Sequence, residues 1–328
     1  MQRYVFVDWM KVIGIYLIVC GHFLQPCPPF ISYIYVFSVP VFFVISGFLF
    51  KKETDGRLFW KKIWNSLLLP MLGICFFTLC YDSVICMVRH KDFVLMDIPV
   101  RLLNIIVGIH SDERGNGLQV CWFIYTLVVL KVLMQYMPQR ILLLFVMPLS
   151  LTAVIIVSMH GANFICKNAI VISSLCLPFF MLGRFARLVD FPQMINCKRK
   201  LWLLGIFSLF MTILIGYYNG PAWVYQCQYG RDFTLFIMGG VNGTLLMFTV
   251  SYMLSRFNNR LLETLSSGTV IILGFHQISF HIVYNLPYIH QYPLLYYIAG
   301  VFIVLSFYPV IVCISRWFPF LLGGRKIA

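Results

Sequence analysis

Charge is scarce in this chain. Only 11% of its 328 residues are Asp, Glu, Lys or Arg, and the acidic ones number 11. A soluble domain carries about a quarter charged residues, so a chain of this size has too few to build a polar skin. That excludes an ordinary cytosolic enzyme and a disordered chain. Long polar stretches are lacking too, which leaves no room for a second, soluble domain, and residues 1–328 read as one unit. The 11 cysteines include no C-x-x-C pair, and most of them (Cys20, Cys75, Cys80, Cys121, Cys176 and Cys313) sit in apolar runs. There a thiol behaves as a small hydrophobe, and neither a disulfide framework nor a metal site is expected. Also missing are a Walker loop, G-x-G-x-x-G, H-E-x-x-H and G-x-S-x-G, an Arg-rich sensor helix and a TVGYG filter. These absences count against pumps, dehydrogenases, zinc proteases and channels.

Apolar residues are what the chain has in quantity: 61% hydrophobic, 17% aromatic, mean hydropathy +0.87. A spanning helix needs about 20 mostly apolar residues. Ten segments meet that requirement: 4–24, 29–50, 64–87, 118–137, 141–159, 168–188, 201–218, 233–254, 266–286 and 292–315. The segment at 93–109, with Asp92, Asp97 and Arg101 around an apolar background, reads as an interfacial amphipathic helix. The net charge is +14, and in the ten-span arrangement 19 of the 25 Lys and Arg residues lie on the side of the termini, six on the other. Basic residues collect in cytoplasmic loops, so both termini are expected in the cytoplasm. Nucleic acid is not expected as a partner, since the longest basic run is Lys198-Arg199-Lys200. The first segment is interrupted by Asp8 and Lys11, with no small-x-small site after it, and reads as a retained helix rather than a cleaved signal. The expected fold is all-α: a polytopic bundle of about ten helices in the cytoplasmic (inner) membrane.

In such a bundle the informative residue is the polar one, because an ionisable group inside a span is costly unless paired or hydrated. The first segment carries Asp8, Lys11 and His22. At 100° per residue Lys11 and His22 differ by only about 20° in azimuth and lie about 16 Å apart along the axis. Asp8 and Lys11, three residues apart, are neighbours able to form an ion pair. One stripe therefore carries all three, Lys11 towards the inner face and His22 towards the outer. Bland alternatives exist: an interfacial pair for Asp8 and Lys11, a hydrogen-bonding role between helices for His22. In Ser38-Val-Pro40-Val-Phe-Phe-Val-Ile-Ser46-Gly47, Pro40 frees a mid-helix carbonyl and Ser46-Gly47 permits close helix approach, which reads as packing. Trp122-Phe123 fits an outer aromatic belt. His276 and His281 are second acid–base candidates, with a packing histidine as the plainer reading. The polar stretch from His110 to Arg114 reads as a solvated outer loop.

Taken together these residues resemble the acyltransferase 3 family of bacterial integral-membrane acyltransferases. The family opens with an Asp, a basic residue and, after ten more, a His, as do Asp8, Lys11 and His22. Its second helix is similar to PVFFVISGFL at 40–49. Trp122-Phe123, the run Phe179-Phe180-Met181-Leu182-Gly183-Arg184 and the stretch from Ser267 to His276 resemble further family motifs in order. Two departures stand out. Better-known members have Arg where Lys11 stands, which removes bidentate anion recognition, and Lys61-Lys62 is displaced from the usual place of a basic pair just before Pro70. The esterase-like C-terminal domain of some members is not seen, so a stand-alone form is expected.

The resemblance implies one integral-membrane acyltransferase domain that moves an acyl group, acetyl first, from cytoplasmic acyl-CoA to a hydroxyl of a cell-envelope or exported carbohydrate. In that reading no cofactor is bound, and acetyl-CoA is a substrate. Lys61 and Lys62, with Lys51, Lys52 and Lys198-Arg199-Lys200, would hold the donor phosphates as point charges. The donor arm would run past Lys11 to His22, which acts as general base or acyl relay, with Asp8 fixing Lys11. Ser46, Trp122 and His276 would line the acceptor side. The expected partners are acyl-CoA, a carbohydrate or lipid-linked glycan and the bilayer, and a homo-oligomer is compatible. The rival reading is a transporter or flippase for a lipid-linked sugar or small anion using the same stripe, although the paired broken helices of two related halves are not evident.

Overall fold

The computed structural model describes residues 3–23, 33–88, 119–149, 169–195, 197–226, 228–284 and 294–324, with single residues 99, 103, 151, 152 and 292. Every regular element among them is helical, as a backbone in lipid requires. The principal helices are α1 (Val5–Phe23), α2 (Ser38–Leu49), α3 (Gly56–Ile63), α4 (Leu69–Val88), α5 (Gln119–Tyr136) and α6 (Ala169–Leu188). They continue with α7 (Lys198–Asn219), α8 (Phe233–Leu254), α9 (Arg260–Ser267), α10 (Thr269–Tyr284) and α11 (Leu294–Trp317). Six helical stretches are long and apolar enough to cross a membrane: Val5–His22, Gly56–Val84, Ala169–Leu188, Lys198–Asn219, Phe233–Leu254 and Leu294–Trp317. A seventh is made if α9 and α10, which meet at 81°, count as one broken span. The span expected at 266–286 corresponds to α10, with its first residues belonging to α9 beyond the bend at Gly268. Two shorter apolar helices, Tyr33–Leu49 and Cys121–Tyr136, fall where spans were expected at 29–50 and 118–137. Nearly all of 93–109, the 110–114 loop and the second half of 141–159 lie outside the described residues.

Prolines set where the helices deform. α3 passes into α4 through a wide turn, Trp64–Leu68, in which the Leu69 N–H reaches back to the Trp64 carbonyl. Pro70 follows at once; it has no N–H and crowds the carbonyl four residues earlier, so the helix widens there. The same device recurs at Leu142–Val146, where the Met147 N–H bonds the Leu142 carbonyl just before Pro148. Pro40, read from the sequence as a mid-helix residue, stands instead in the first turn of α2 beyond a break at residues 36 and 37. A missing N–H costs nothing in a first turn, whose donors have no intrahelical acceptor.

Glycines decide which helices cross closely. A Cβ on Gly47 of α2 would lie 1.9 Å from the Phe180 carbonyl oxygen, and one on Gly183 of α6 would lie 1.9 Å from the Val44 carbonyl oxygen. The backbones thus touch reciprocally, as small residues allow in membranes. Arg184 seals the crossing by donating from Nη1 to the Phe50 carbonyl at 3.0 Å, capping the end of α2.

α1 holds the centre. It packs against α2, α8, α9, α10 and α11, and Phe6 near its start meets Phe248 near the end of α8 at 5.4 Å, so the two run antiparallel. The start of α8 and the end of α1 share one end of the bundle. The opposite end gathers Arg3, Arg184, Arg187, Arg256, Arg260 and Lys62.

Candidate active site

At the basic end, Asp8 is fixed from two directions. Arg3 donates from Nε to its Oδ2 at 2.8 Å, and the Ser266 hydroxyl donates to its Oδ1. Arg3 also pairs with Glu263 at 3.1 Å and reaches the Asn258 side-chain oxygen at 3.2 Å. Trp9 donates from its indole to the Phe257 carbonyl at 2.9 Å. The first turns of α1 are therefore stapled to α9 and to the link before it. Lys11, half-buried, lies one turn further along α1. Arg187 of α6 donates to the Tyr4 hydroxyl and lies over the Tyr4 and Phe48 rings, 4.8 and 5.3 Å from their centroids. Arg3 and Ser266 were not singled out from the sequence. Arg3 precedes the helix, so no periodicity marks it, and Ser266 is adjacent to the Ser267 of the family-like stretch.

At the far end of α1 stands His22, and α10 brings His276 to it. Their ring centroids are 5.1 Å apart and the planes tilt by 46°. His276 is 2% exposed. Its Nδ1 lies 3.0 Å from the Ile272 carbonyl and 2.9 Å from the Leu273 carbonyl. Carbonyl oxygens only accept, so Nδ1 carries the hydrogen, and the neutral ring keeps its basic lone pair on Nε2. The backbone of α10 thereby fixes both orientation and tautomer. The side chain of His281, the other histidine candidate on this helix, lies outside the described residues.

Aromatic residues also gather at this end of the bundle. A Cβ on Gly21 would come within 3.3 Å of the Tyr35 ring, so the absence of a side chain there lets Tyr35 lie against α1 one residue before His22. Trp122 of α5 stands 6.4 Å from Tyr225, centroid to centroid, and 5.9 Å from Phe123. Tyr225 is carried by the segment between α7 and α8, which falls between the spans expected at 201–218 and 233–254. It is tucked in, with Ala222 and Val224 only 1% and 3% exposed. Asn219 organises it, donating to the Tyr229 carbonyl at 2.7 Å and accepting from the Asp232 N–H at 2.9 Å.

The remaining expected site residues are placed apart from the histidines. Ser46 is half-buried on α2, one residue before the glycine that meets α6. Lys62 pairs with Glu53 at 2.7 Å, and Glu53 is itself held by Gln135 of α5 through its backbone N–H and carbonyl. Lys61 is exposed on α3 at the basic end. The structure thus joins His22 with His276, and places Asp8, Lys61 and Lys62 at the other end.

A central helix with ionisable groups at both ends, set in apolar helices, marks a multi-pass membrane protein. A model of the acyltransferase 3 family, described as an acyltransferase domain, matches residues 4–315, nearly the whole length, and the chain belongs to that family. It is accordingly a membrane acyltransferase. No curated protein and no solved structure matches it.

Proposed function

We propose that this protein is an O-acyltransferase of the cytoplasmic membrane that takes an acyl group, acetyl first, from cytoplasmic acyl-CoA and places it on a hydroxyl of a cell-envelope or exported carbohydrate. About ten spans and cytoplasmic termini belong to this reading, which makes the basic end the donor side. The observation that carries it is the His22–His276 pair, 5.1 Å apart at the end of α1 opposite the basic groups. The two ends of α1 divide the work between a polyanionic donor and a neutral acceptor.

The chemistry follows from the side chains. Exposed Lys51, Lys52 and Lys61 attract the donor phosphates as point charges, while Glu53 offsets the charge of Lys62. The donor arm runs along α1 past Lys11 over the about 16 Å that eleven helical residues span. At His22 an imidazole nitrogen takes the proton from the acceptor hydroxyl as its oxygen attacks the thioester carbonyl. The C–O bond forms, the C–S bond breaks, and the imidazolium returns its proton to the leaving thiolate. In the relay variant His22 takes the acyl group first and then gives it to the hydroxyl. His276 acts as a positioning residue, its tautomer set by Ile272 and Leu273.

The test is label transfer. Protein in nanodiscs receives radiolabelled acetyl-CoA and extracted envelope glycans, and the label is expected in the glycan fraction in a form released by mild base, as an ester is. Label that stays in acetyl-CoA, or leaves only as free acetate whatever glycan is added, contradicts the reading.

A further inference from the structure

Aromatic side chains from three segments distant in sequence gather at the end of the bundle where α1 carries His22. Tyr35, just ahead of α2, lies on Gly21 and within electrostatic range of Tyr225 from the α7–α8 segment. Tyr225 in turn meets Trp122 of α5 at 6.4 Å with a tilt of 38°. All three side chains are half-buried, as His22 is, so each keeps part of its surface open while its body is held. The holding is specific: Gly21 admits Tyr35, and the buried Ala222 and Val224 with the Asn219 hydrogen bonds seat Tyr225.

Such a wall suits one chemistry. A pyranose ring has one face made of C–H groups, which lies well on an aromatic face, and a rim of hydroxyls that phenol oxygens can bond. A ringless polyol offers no such face, and a long acyl chain has no use for the phenols. We infer that Trp122, Tyr225 and Tyr35 form the acceptor platform, on which a sugar ring stacks so that one of its rim hydroxyls faces His22. Tyr225 and Tyr35 are then specificity-determining residues for the acceptor. The inference rests on the acyltransferase reading for its purpose, but sugar binding is measurable without any transfer.

The experiment is saturation-transfer NMR on the full chain in nanodiscs, with methyl glycosides of glucose, galactose and N-acetylglucosamine as probes and glycerol as ringless control. Wild type is expected to saturate the ring C–H protons of at least one glycoside and not glycerol. Tyr225→Ala and Trp122→Ala lose that signal or weaken apparent affinity by about tenfold, the size of one lost aromatic contact, whereas Tyr225→Phe keeps it. Monodisperse elution and unchanged thermal unfolding of Tyr225→Ala and Trp122→Ala guard against loss through misfolding. No glycoside signal in wild type, or equal signal in Tyr225→Ala, overturns the platform. Acetyl-CoA turnover is measured on the same samples: a platform that binds sugar in a protein that never turns over acetyl-CoA sinks the transferase reading and leaves this one standing.

Discussion

A buried histidine is a useful base only if its proton is in a known place. Beside His22, the positioning residue His276 has its ring hydrogen fixed by two carbonyls of its own helix turn. The sequence placed His22 and His276 each on a helix, but their meeting could not be read from it. It depends on the bend at Gly268, where the close approach of Ile311 excludes a side chain, and bends of that kind leave no mark on hydropathy. Elsewhere a cysteine makes a residue-scale prediction. Cys197, exposed ahead of α7, is held below the ordinary thiol range by the nearby backbone N–H groups of Lys200 and Arg199 in the first turn of α7, which favour the thiolate. A lowered pKa means more thiolate at lower pH. Alkylation of Cys197 by iodoacetamide, followed by mass spectrometry of its peptide, should therefore reach half-maximal rate below pH about 8.5, the ordinary cysteine value. A midpoint at or above that value contradicts the assignment.

Among the elements, the α2–α6 crossing shows how far a motif can be read. The Ser46-Gly47 pair in PVFFVISGFL reads correctly as close packing, yet its partner is another family-like run, Phe179 to Arg184, whose Gly183 answers Gly47 across the interface. Reciprocity of this kind is a tertiary fact; each glycine alone marks only a close approach. Gly47→Ala and Gly183→Ala each force a methyl to within 1.9 Å of a carbonyl oxygen, and the backbones must part. Each should destabilise the protein by about 1–3 kcal/mol, the usual cost of overpacking, seen as an earlier thermal transition in detergent. Gly56→Ala, where the added carbon meets only the Tyr136 hydroxyl at 3.5 Å, is the matched control. Unchanged melting of both crossing variants would contradict the packing described. The segment before α8, only a link between two expected spans in the sequence, turns inward through the buried Ala222 and Val224.

For the whole molecule, composition was a sound guide. Scarce charge and abundant apolar residues announce an all-helical membrane protein, and six helices, or seven with the bent pair, are long and apolar enough to span. Helix boundaries were legible where apolar runs end in charge, as at Lys198, and less so where a helix breaks inside its run, as at residues 36 and 37 and at Gly268. Among the described residues the two ends of the bundle differ in charge, and the donor reading makes that difference measurable. Lys61→Glu combined with Lys52→Glu should raise the KM for acetyl-CoA by about tenfold at low salt and by less at about 1 M, where charges more than about 3 Å apart are screened. The KM for the acceptor should stay put. A change in both constants, or none at any salt, would remove the basic end from donor binding.

The central claim is that α1 carries the donor to a histidine that performs the transfer, and a single comparison tests it most directly. Wild type and His22→Ala, each in nanodiscs and matched for elution and thermal unfolding, receive radiolabelled acetyl-CoA in a single turnover with acceptor glycan present. The account predicts transfer in wild type and a loss of at least about 10²-fold in His22→Ala, the range of a lost acid–base group, with acetyl-CoA still bound by the variant. Transfer retained in His22→Ala would contradict it.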